Sequence, residues 1–367
     1  MRMKVAIIGA GLVGRLLAWR LNELQHNIQI TLIDQHDRDF FGTGLIAAAM
    51  VAPFTEAVST EAITQTVGLC SYSLWQQWLA DLERQTGHEV SFTRKGTLVV
   101  SHPQDEPDWQ RFYLKAQHTV PQNAYQTLNK QAMQGLEPQL GERFTNGLFF
   151  ANEGVIDNLA LYPALNDYFS QAAHIQWREN TNIAKLSEDG TLSEINESYD
   201  LIFDCRGNGA RDDLSQLRSV RGEVARVHAP EVTIQRAIRL IHPRFPLYIA
   251  PRKNHEYIIG ATQIESDADT PVTVRSGLEL LSALYSLHPG FSEAHIIQLI
   301  SGLRPTFKNN LPRIEFKHKL ISINGLYRHG YLFSPALIND VLTHVLNLPE
   351  TIKFPQFHFD NTYQKAS

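Results

Sequence analysis

Two apolar runs in the first 34 residues flank a segment whose apolar positions recur at helical spacing. Residues 4–9 (KVAIIG) form a continuous apolar run, which is typical of a strand buried on both faces of a sheet. From Leu12 to Leu24 the apolar residues follow the periodicity of an amphipathic helix. A second apolar run, Ile28–Ile33, ends at Asp34. The pattern therefore predicts a strand, a helix and a second strand in one βαβ unit.

The later part of the chain does not continue this alternation. After small residues at 42–53, helices are predicted over 60–87, 159–173, 274–288 and 335–346, with polar helical sequence over 105–140. Strands are predicted over 92–100, 147–150, 175–177, 182–186, 201–205, 220–227, 237–241, 247–250, 257–259 and 320–323. The pattern predicts an α/β plus α+β protein, in which a Rossmann-like dinucleotide-binding domain is interleaved with an antiparallel β-sheet domain.

A glycine motif joins the first strand to the first helix. In Gly9-x-Gly11-x-x-Gly14, the first glycine permits a tight turn, the second lets a pyrophosphate approach the backbone, and the third lets the helix pack against the strand. The N-terminus of the helix then binds the phosphates. Asp34, 20 residues after Gly14, is placed to accept hydrogen bonds from the adenosine ribose. In this strand–helix–strand context, the motif predicts dinucleotide binding.

The dinucleotide is either FAD or NAD. NAD enzymes usually continue with further βαβ units after the second strand, whereas this chain departs into small residues and a long helix. The departure favours FAD.

Composition narrows the class of protein. Of the 367 residues, 43% are hydrophobic and 19% charged, which excludes a disordered chain. The net charge of −5 argues against a nucleic-acid partner. Two cysteines exclude a disulfide scaffold, and no metal is expected because the histidines lack metal-ligand spacing. The apolar stretch at 5–13 is too short to span a bilayer and lacks a cleavable signal layout, so we expect no membrane partner and a cytoplasmic location.

Nine short segments follow one another over most of the chain. They are GAGLVG at 9–14, AAAMVAPFTEA at 47–57, NEGVIDN at 152–158, LIFDCRGNGAR at 201–211, VRGE at 220–223, PLYIAPR at 246–252, IIGATQIES at 258–266, GLRP at 302–305 and GLYRHGYLFSPAL at 325–337. Together they resemble the flavin-dependent amino-acid oxidases of the D-amino-acid oxidase superfamily, and most closely the glycine oxidases of thiamine biosynthesis. Three positions differ from the family pattern. Asp34 stands where Glu is usual, Ala49 where Gly is common, and Cys205-Arg206-Gly207 where the strand usually ends in Ala-Gly or Thr-Gly.

The resemblance implies that FAD binds without a covalent link, since no cysteine lies in the segment 326–332 that would wrap the isoalloxazine. It also implies backbone contact between Ile183 and the adenine. The implied cofactor-binding residues are Gly9, Ala10, Gly11, Leu12, Val13, Gly14, Asp34, Gln35, Thr43, Gly44, Ala48, Ala49, Met50, Ile183, Cys205, Gly207, Leu326, Tyr327, His329, Gly330, Tyr331 and Leu332.

The same resemblance places Arg304, Arg328 and Tyr248 in the substrate pocket. The chemistry agrees, because the carboxylate of an α-amino acid needs a planar two-pronged donor, which arginine supplies. Since Gly302 and Pro305 flank it, Arg304 is expected in a constrained, exposed turn. Arg328 could serve the substrate or a flavin phosphate. Without the resemblance, Tyr248 would be interpreted as a core tyrosine.

Ser334 and Pro335 predict the start of the last helix, with serine as N-cap and proline as the first helical residue. That N-terminus would stabilise negative charge at the N1–C2=O edge of the flavin. His329 is expected to be a solvent-facing or structural histidine, because hydride transfer from an amino acid needs no catalytic base. No catalytic side chain is assigned.

These inferences imply FAD-dependent oxidative deamination of a small amino acid, with glycine favoured, to an imine or glyoxylate with ammonia and hydrogen peroxide, serving thiamine thiazole synthesis. The partners would be the amino acid and oxygen, and homo-oligomerisation stays open. The FAD-binding domain is expected to comprise residues 1–85, 145–215 and 305–367, and the substrate-binding domain residues 86–144 and 216–304.

Three other functions stay open at this point. A D-amino-acid or sarcosine dehydrogenase or oxidase would share the chemistry, with a quinone accepting electrons from a dehydrogenase. A flavoprotein of cofactor maturation or tRNA modification would act on a macromolecule. A dinucleotide sensor would lack catalysis.

Overall fold

The structure is a computed structural model that describes residues 2–25, 27–40, 42–140, 143–242 and 247–360. In chain order, the strands of this described part are Met3–Ile8 (β1), Ile28–Ile33 (β2), Met50–Val51 (β3), Phe92–Thr93 (β4), Thr97–Ser101 (β5), Gln126–Asn129 (β6), Asn146–Phe150 (β7), Gly154–Ile156 (β8), Ile175–Arg178 (β9), Thr191–Leu192 (β10), Glu197–Ser198 (β11), Leu201–Asp204 (β12), Arg218–His228 (β13), Ala237–Ile241 (β14), Leu247–Pro251 (β15), Glu256–Gly260 (β16), Ile264–Glu265 (β17), His295–Thr306 (β18), Arg313–Lys317 (β19), Leu320–Asn324 (β20) and His358–Asp360 (β21). The α-helices are Leu12–Leu24 (α1), Gly42–Ile46 (α2), Pro53–Ser59 (α3), Ile63–Thr86 (α4), Glu106–Thr119 (α5), Lys130–Leu136 (α6), Asn158–Gln171 (α7), Val274–Leu287 (α8) and Gly330–Val345 (α9).

A seven-stranded sheet contains the predicted βαβ unit. Its order is β21-β19-β20-β12-β1-β2-β9, and β1 pairs in parallel with both β2 and β12. Val5 and Ile7 belong to the large apolar cluster that includes residues of α1, α4 and α9, whereas Ala6 and Ile8 belong to a smaller cluster with residues of the β10–β11 hairpin. Both faces of β1 are therefore covered, as its continuous apolar run predicts, and the Rossmann-like fold is confirmed.

A nine-stranded sheet forms the second part of the fold. Eight strands follow the order β17-β13-β16-β15-β14-β5-β7-β6, and β18 pairs with β13. All pairs are antiparallel except β14 with β5. Residues of α8 pack with Ile249 and Ile259. Side chains of the opposite parity, including Tyr248, pack with Ala48 and Met50. This second face, called the inner face below, therefore lies against the chain segment that follows α2.

Strand β7 shows how the two sheets share the chain. The predicted division assigns residues 145–215 to the FAD-binding domain, but β7 pairs with β5 and β6 inside the nine-stranded sheet. The next strand, β8, belongs to a three-stranded sheet with β3 and β4. The exact division into domains stays a proposal.

Two predicted strands are wrong. The run at 92–100 is two strands in different sheets, because Gly96 turns the backbone at φ +78° between β4 and β5. Residues 182–186 form no strand. Their polar backbone groups bind side chains instead of a neighbouring strand: Arg206 donates to the carbonyl oxygen of Ala184, and the backbone N–H of Lys185 donates to Glu194.

The last helix begins five residues earlier than Ser334 and Pro335 predict, at Gly330 with His329 as its N-cap residue. Pro335 therefore lies inside α9 and cannot donate a hydrogen bond to the carbonyl oxygen of Tyr331. The indole N–H of Trp75 donates to that oxygen at 2.7 Å and replaces the missing bond. Ser334 donates its hydroxyl to the carbonyl oxygen of Gly330 and is not a cap. A long-range contact thus allows the helix to include its proline.

Candidate flavin and substrate site

The glycines of the first turn lie in three different environments. Gly9 has φ +98°, and a Cβ there would crowd the carbonyl oxygen of Cys205. A Cβ on Gly14 would overlap the carbonyl oxygen of Gly9. At Gly11, by contrast, no atom of the described residues beyond its own chain neighbours lies within 4 Å of where a Cβ would stand. An open cradle therefore remains at the N-terminus of α1, and it fits the pyrophosphate of FAD.

Asp34 lies beside this turn at the end of β2. Its carboxylate accepts hydrogen bonds from the backbone N–H of Ala10 at 2.6 Å and of His36 at 2.9 Å. Carboxylate oxygens accept more than one hydrogen bond each, so acceptor capacity remains for a ribose. The neighbouring Gln35 is exposed. The shorter aspartate, where the family has glutamate, is thus held close to the glycine turn.

Leu12 connects three of the predicted cofactor segments. Its side chain lies close to Gly44 of α2 and to Gly330 at the start of α9, while Val13 follows it in α1. Thr43 of α2 packs against Gly302 of β18. The structure therefore brings the glycine turn, α2 and the start of α9 together.

Asn158 holds the chain that leads from α2 to β3. Its side-chain amide faces the carbonyl oxygens of Gly44, Leu45 and Ala47 at 2.9–3.0 Å. The hydroxyl of Tyr331 also donates to the oxygen of Gly44 at 2.9 Å. Sequence reasoning missed this role, although Asn158 lies in one of the family segments. The amide of one buried side chain thus determines the path of the segment expected along the flavin.

Ala49 adopts the left-handed region at φ +52°, where glycine is favoured. The carbonyl oxygen of the preceding Ala48 accepts a hydrogen bond from Arg252 at 2.6 Å. Burial lowers the pKa of Arg252 to about 10. The segment therefore keeps the backbone shape that the family achieves with glycine, at a cost in strain.

The departure at Cys205-Arg206-Gly207 has a structural explanation. Arg206 binds both carboxylate oxygens of Asp204 at 2.9 Å and donates to the carbonyl oxygen of Ile183 at 3.2 Å. Cys205 is buried and donates its backbone N–H to the carbonyl oxygen of Ile8, and Gly207 has φ +57°. Arg206 thus fastens the segment around Ile183 to the end of β12.

Arg304 lies inside β18, not in the predicted turn. Gly302 and Pro305 continue the ladder with β13, and proline is tolerated there because β18 is an edge strand. A Cβ on Gly222 would overlap the Arg304 guanidinium, so this glycine makes room for it. Nη1 of Arg304 donates to the carbonyl oxygen of Thr262 at 3.0 Å, and no carboxylate of the described residues forms a salt bridge with Arg304. Burial lowers the pKa of Arg304.

Tyr248 lies on the same inner face as Arg304. In the strand register it stands opposite Arg239 on one side and Gly260 on the other. A Cβ on Gly260 would lie 3.0 Å from the Tyr248 hydroxyl, which makes no hydrogen bond within the described structure. Burial raises the pKa of Tyr248, while the charge of Arg304 opposes that rise. A neutral hydroxyl donor and a guanidinium therefore stand near each other.

Arg328 has a partner that the sequence did not predict. Its Nε and Nη2 both bind Oε2 of Glu56, the Nε at 2.9 Å, and Oε1 of Glu56 lies 3.0 Å from Nη1 of Arg239. Nε2 of His329 lies 2.9 Å from Oε2 as well. Burial disfavours ionisation of Glu56, but Arg328, His329 and Arg239 outweigh it and hold its pKa well below the ordinary value. We call these four residues the Glu56 cluster.

His329 is buried, and burial lowers its pKa. Because its Nε2 faces Glu56, its contacts support a structural role. Around His329, Leu326 and Tyr331 are buried, and Leu332 packs against Gly68 of α4. Tyr327 has φ +54° and donates its backbone N–H to the carbonyl oxygen of Pro305 in β18. The predicted segment 326–332 thus lies beside β18 at the start of α9, and its flavin contacts stay a prediction.

Glu153 supports the short helix that carries Glu56. Its carboxylate accepts hydrogen bonds from the backbone N–H groups of Phe54 and Thr55 at 2.9 and 2.7 Å, and from the hydroxyl of Thr55 at 2.8 Å. Burial raises the pKa of Glu153 to about 7. Sequence reasoning missed Glu56, Glu153 and Arg239. The available signal was a charge inside a small or apolar stretch: Glu56 lies in AAAMVAPFTEA, and Arg239 follows Ala237 and Ile238.

Three features of the site are typical of a dinucleotide-dependent oxidoreductase. They are the open phosphate cradle at Gly11, the carboxylate of Asp34 beside it, and the guanidinium of Arg304 on the inner face. The family described as FAD dependent oxidoreductase, DAO, matches residues 4–338. The chain belongs to this family, and FAD is its cofactor.

Three proteins are similar to this chain over most of its length. The chain is 34% identical to the thiamine biosynthesis oxidoreductase ThiO assigned in Rhizobium etli, over 94% of this chain and 97% of that protein. It is 24% identical to glycine oxidase of Geobacillus kaustophilus, over 91% of this chain and 90% of that one. The solved structure of the latter superposes with a TM-score of 0.84 at 21% identity and covers 98% of this chain and 99% of that chain. An iminodiacetate oxidase from Chelativorans shares the fold with a TM-score of 0.79 at 21% identity, covering 99% of this chain and 100% of that chain.

Within the described ranges, no helix is both long and apolar enough to cross a membrane.

Proposed function

We propose that this protein is an amino-acid oxidase that deaminates a small amino acid, with glycine as the favoured substrate, and that it serves thiamine thiazole synthesis. The single observation that carries the proposal is Arg304, whose guanidinium lies on the inner face without a carboxylate partner among the described residues. Arg304 is partly buried, and a cation withdrawn from water is costly unless an anion pairs with it. The α-carboxylate of an amino acid supplies that anion.

The other side chains explain the orientation of the substrate. Arg304 binds the carboxylate through its planar fork, and the neutral hydroxyl of Tyr248 donates a second hydrogen bond. The apolar side chains beside Tyr248, among them Ala48, Val224 and Ala250, exclude water and limit the size of the substrate side chain. FAD, when bound, supplies the two-electron chemistry: it accepts the Cα hydride and passes the electrons to oxygen. In balance, glycine, oxygen and water yield glyoxylate, ammonia and hydrogen peroxide.

The relatives support this assignment. The Rhizobium etli protein is named for thiamine biosynthesis and the Geobacillus kaustophilus protein for glycine oxidation. Neither name by itself determines the substrate of this chain, so the test must compare amino acids.

Anaerobic addition of amino acids to the purified flavoprotein tests the proposal. Glycine is expected to bleach the absorption of oxidised flavin, and air is expected to restore it with one hydrogen peroxide released per flavin. D-alanine and sarcosine serve as comparisons of pocket size. A flavin that none of the three reduces would exclude the proposed function, and reduction without peroxide on exposure to air would indicate a dehydrogenase.

A further inference from the structure

The inner face carries more positive charge than negative. Besides Arg304, the guanidinium groups of Arg239, Arg252 and Arg328 all lie near Tyr248 or on its strand neighbours. Among the described residues, the carboxylate that contacts this group is Glu56, which binds Arg239 and Arg328. Arg252 and Arg304 contact carbonyl oxygens instead. One carboxylate therefore decides how many guanidinium groups remain for a substrate.

Arg304 and Arg328 differ in what they contact. Two nitrogen atoms of the Arg328 fork point at Glu56, whereas the fork of Arg304 has only the carbonyl oxygen of Thr262. The two residues are nevertheless close, because Tyr327, next to Arg328, donates its backbone N–H to the carbonyl oxygen of Pro305, next to Arg304, at 3.0 Å. The charges of Arg328 and Glu56 both act on the pKa of Arg304. An anion held by Arg304 would thus lie next to a guanidinium that is already neutralised, and next to a negative charge.

Glu56 is held in place from several sides. Arg239 binds Glu56 and also donates to the carbonyl oxygen of Thr55 at 3.1 Å and to the hydroxyl of Ser59 at 2.6 Å, so it fastens both ends of α3. Glu153 accepts hydrogen bonds from the backbone N–H groups of Phe54 and Thr55 in the first turn of the same helix. The carboxylate of Glu56 therefore cannot withdraw from Arg328 without disrupting these contacts.

We propose that Glu56 is a specificity-determining residue that restricts the pocket to amino acids with a single carboxylate. By engaging Arg328, it leaves Arg304 as the guanidinium available to the substrate, and its own charge repels a second carboxylate. Without this charge, the buried Arg239 and the partly buried Arg328 would both lack an anion, a state that a second substrate carboxylate would relieve. The inference rests on the proposed function, since it concerns the same pocket.

Glu56→Gln is the direct test because glutamine keeps the shape and removes the charge. Calorimetry of the FAD-loaded protein with acetate and malonate measures binding without turnover. We expect the ratio of affinities to move at least tenfold toward malonate in the variant, and kcat/KM for D-aspartate or iminodiacetate to rise at least tenfold relative to D-alanine or glycine. The double variant Glu56→Gln/Arg328→Leu, which removes the released guanidinium, should lose that gain.

Arg328→Leu in the otherwise unchanged chain keeps the proposal testable should Glu56→Gln fail to retain FAD. With Arg304 as the anchor, its acetate affinity should fall less than that of Arg304→Ala, and the part that is lost reflects the charge of Glu56, which Arg328 no longer neutralises. A loss as large as that of Arg304→Ala would show that Arg328 itself holds the substrate carboxylate and would overturn the proposal, as would an unchanged malonate-to-acetate ratio in an FAD-loaded Glu56→Gln protein. If the parent flavin is reduced by no amino acid, the proposed function fails separately, because the two binding tests do not depend on turnover.

Discussion

The glycine turn at 9–14 and the charged inner face belong to one site but are built on different physical grounds. In the turn, Gly9 and Gly14 avoid overlap with backbone atoms, and Gly11 leaves space. The charged side chains of the inner face come from separate parts of the chain and differ in whether they form a salt bridge. Glu56 pairs with Arg239 and Arg328, whereas Arg304 contacts a carbonyl oxygen. Phosphate recognition here depends on backbone shape, whereas substrate recognition depends on an unpaired charge. Four predictions test this difference, from the largest expected effect to the smallest.

Gly14→Ala should have the largest effect, because its Cβ would overlap the carbonyl oxygen of Gly9 and neither backbone can yield cheaply. We expect a loss of more than about 3 kcal/mol in the free energy of unfolding of the FAD-free protein, at the upper end of overpacking effects. Urea denaturation followed by circular dichroism measures it.

Gly11→Ala is the matched control for that loss. A Cβ there meets open space, so the stability of the FAD-free protein should change by less than about 1 kcal/mol. Its FAD affinity should nevertheless fall by about tenfold or more, because the methyl group occupies the pyrophosphate cradle. Equal stability losses in the two variants would contradict the assignment of different roles.

Glu153 should make stability depend on pH. Its folded pKa of about 7 lies above that of an unfolded glutamate, so the folded protein binds the extra proton and loses stability as pH rises from about 4.5 through 7. The contribution lost between pH 5 and pH 8 is about 3 kcal/mol. Glu153→Gln should lack this part of the decline, as measured by urea denaturation at both pH values.

The comparison of the two denaturation profiles is internal, since all other titrating groups are shared. Parallel profiles for the parent and Glu153→Gln would mean that Glu153 is ionised in the folded state at both pH values. In that case Glu153 would not make the free energy of unfolding depend on pH. The inner face and the glycine turn would then differ less in how their stability responds to pH.

Arg304→Ala should weaken substrate binding by about 1.5–3 kcal/mol, the size of a hydrogen bond to a charged group, which is roughly 10- to 150-fold in affinity. Acetate titration of the FAD-loaded protein measures the loss. Arg226→Ala is the matched control, because Arg226 lies in the same sheet but pairs with Glu256 at 2.9 Å. An unchanged acetate affinity in Arg304→Ala would remove this residue from the site.

Ala49→Gly should have the smallest effect and the opposite sign. Relief of the left-handed backbone at φ +52° should stabilise the protein by up to about 1 kcal/mol, after the entropy cost of glycine. Ala48→Gly, one residue earlier and outside the left-handed region, should instead destabilise it. Thermal unfolding of both variants decides the matter, and a lower melting temperature for Ala49→Gly would show that the strain is absent.

Local patterns predicted the βαβ unit well. The apolar run of β1 and the helical spacing of α1 each reflect burial on one element, and the glycine spacing reflects a turn within six residues. The final helix was placed too late because the rule for proline at a helix start is local, while Trp75 supplies the missing hydrogen bond from 256 residues away. For Arg304, the flanking glycine and proline indicated a turn, but pairing with β13 makes it a strand.

By itself, the sequence predicted a dinucleotide-binding unit in its first 34 residues and an interleaving of strands and helices. Through the family resemblance, it also made Arg304, Arg328 and Tyr248 candidates for the substrate pocket. The tertiary structure alone decided that Arg328 forms a salt bridge with Glu56 and that Arg304 forms none with a carboxylate of the described residues. It also decided that Asn158 holds the chain between α2 and β3. The physical reason is that backbone shape depends on neighbours along the chain, whereas the pairing of buried charges depends on residues that only folding brings within hydrogen-bond distance.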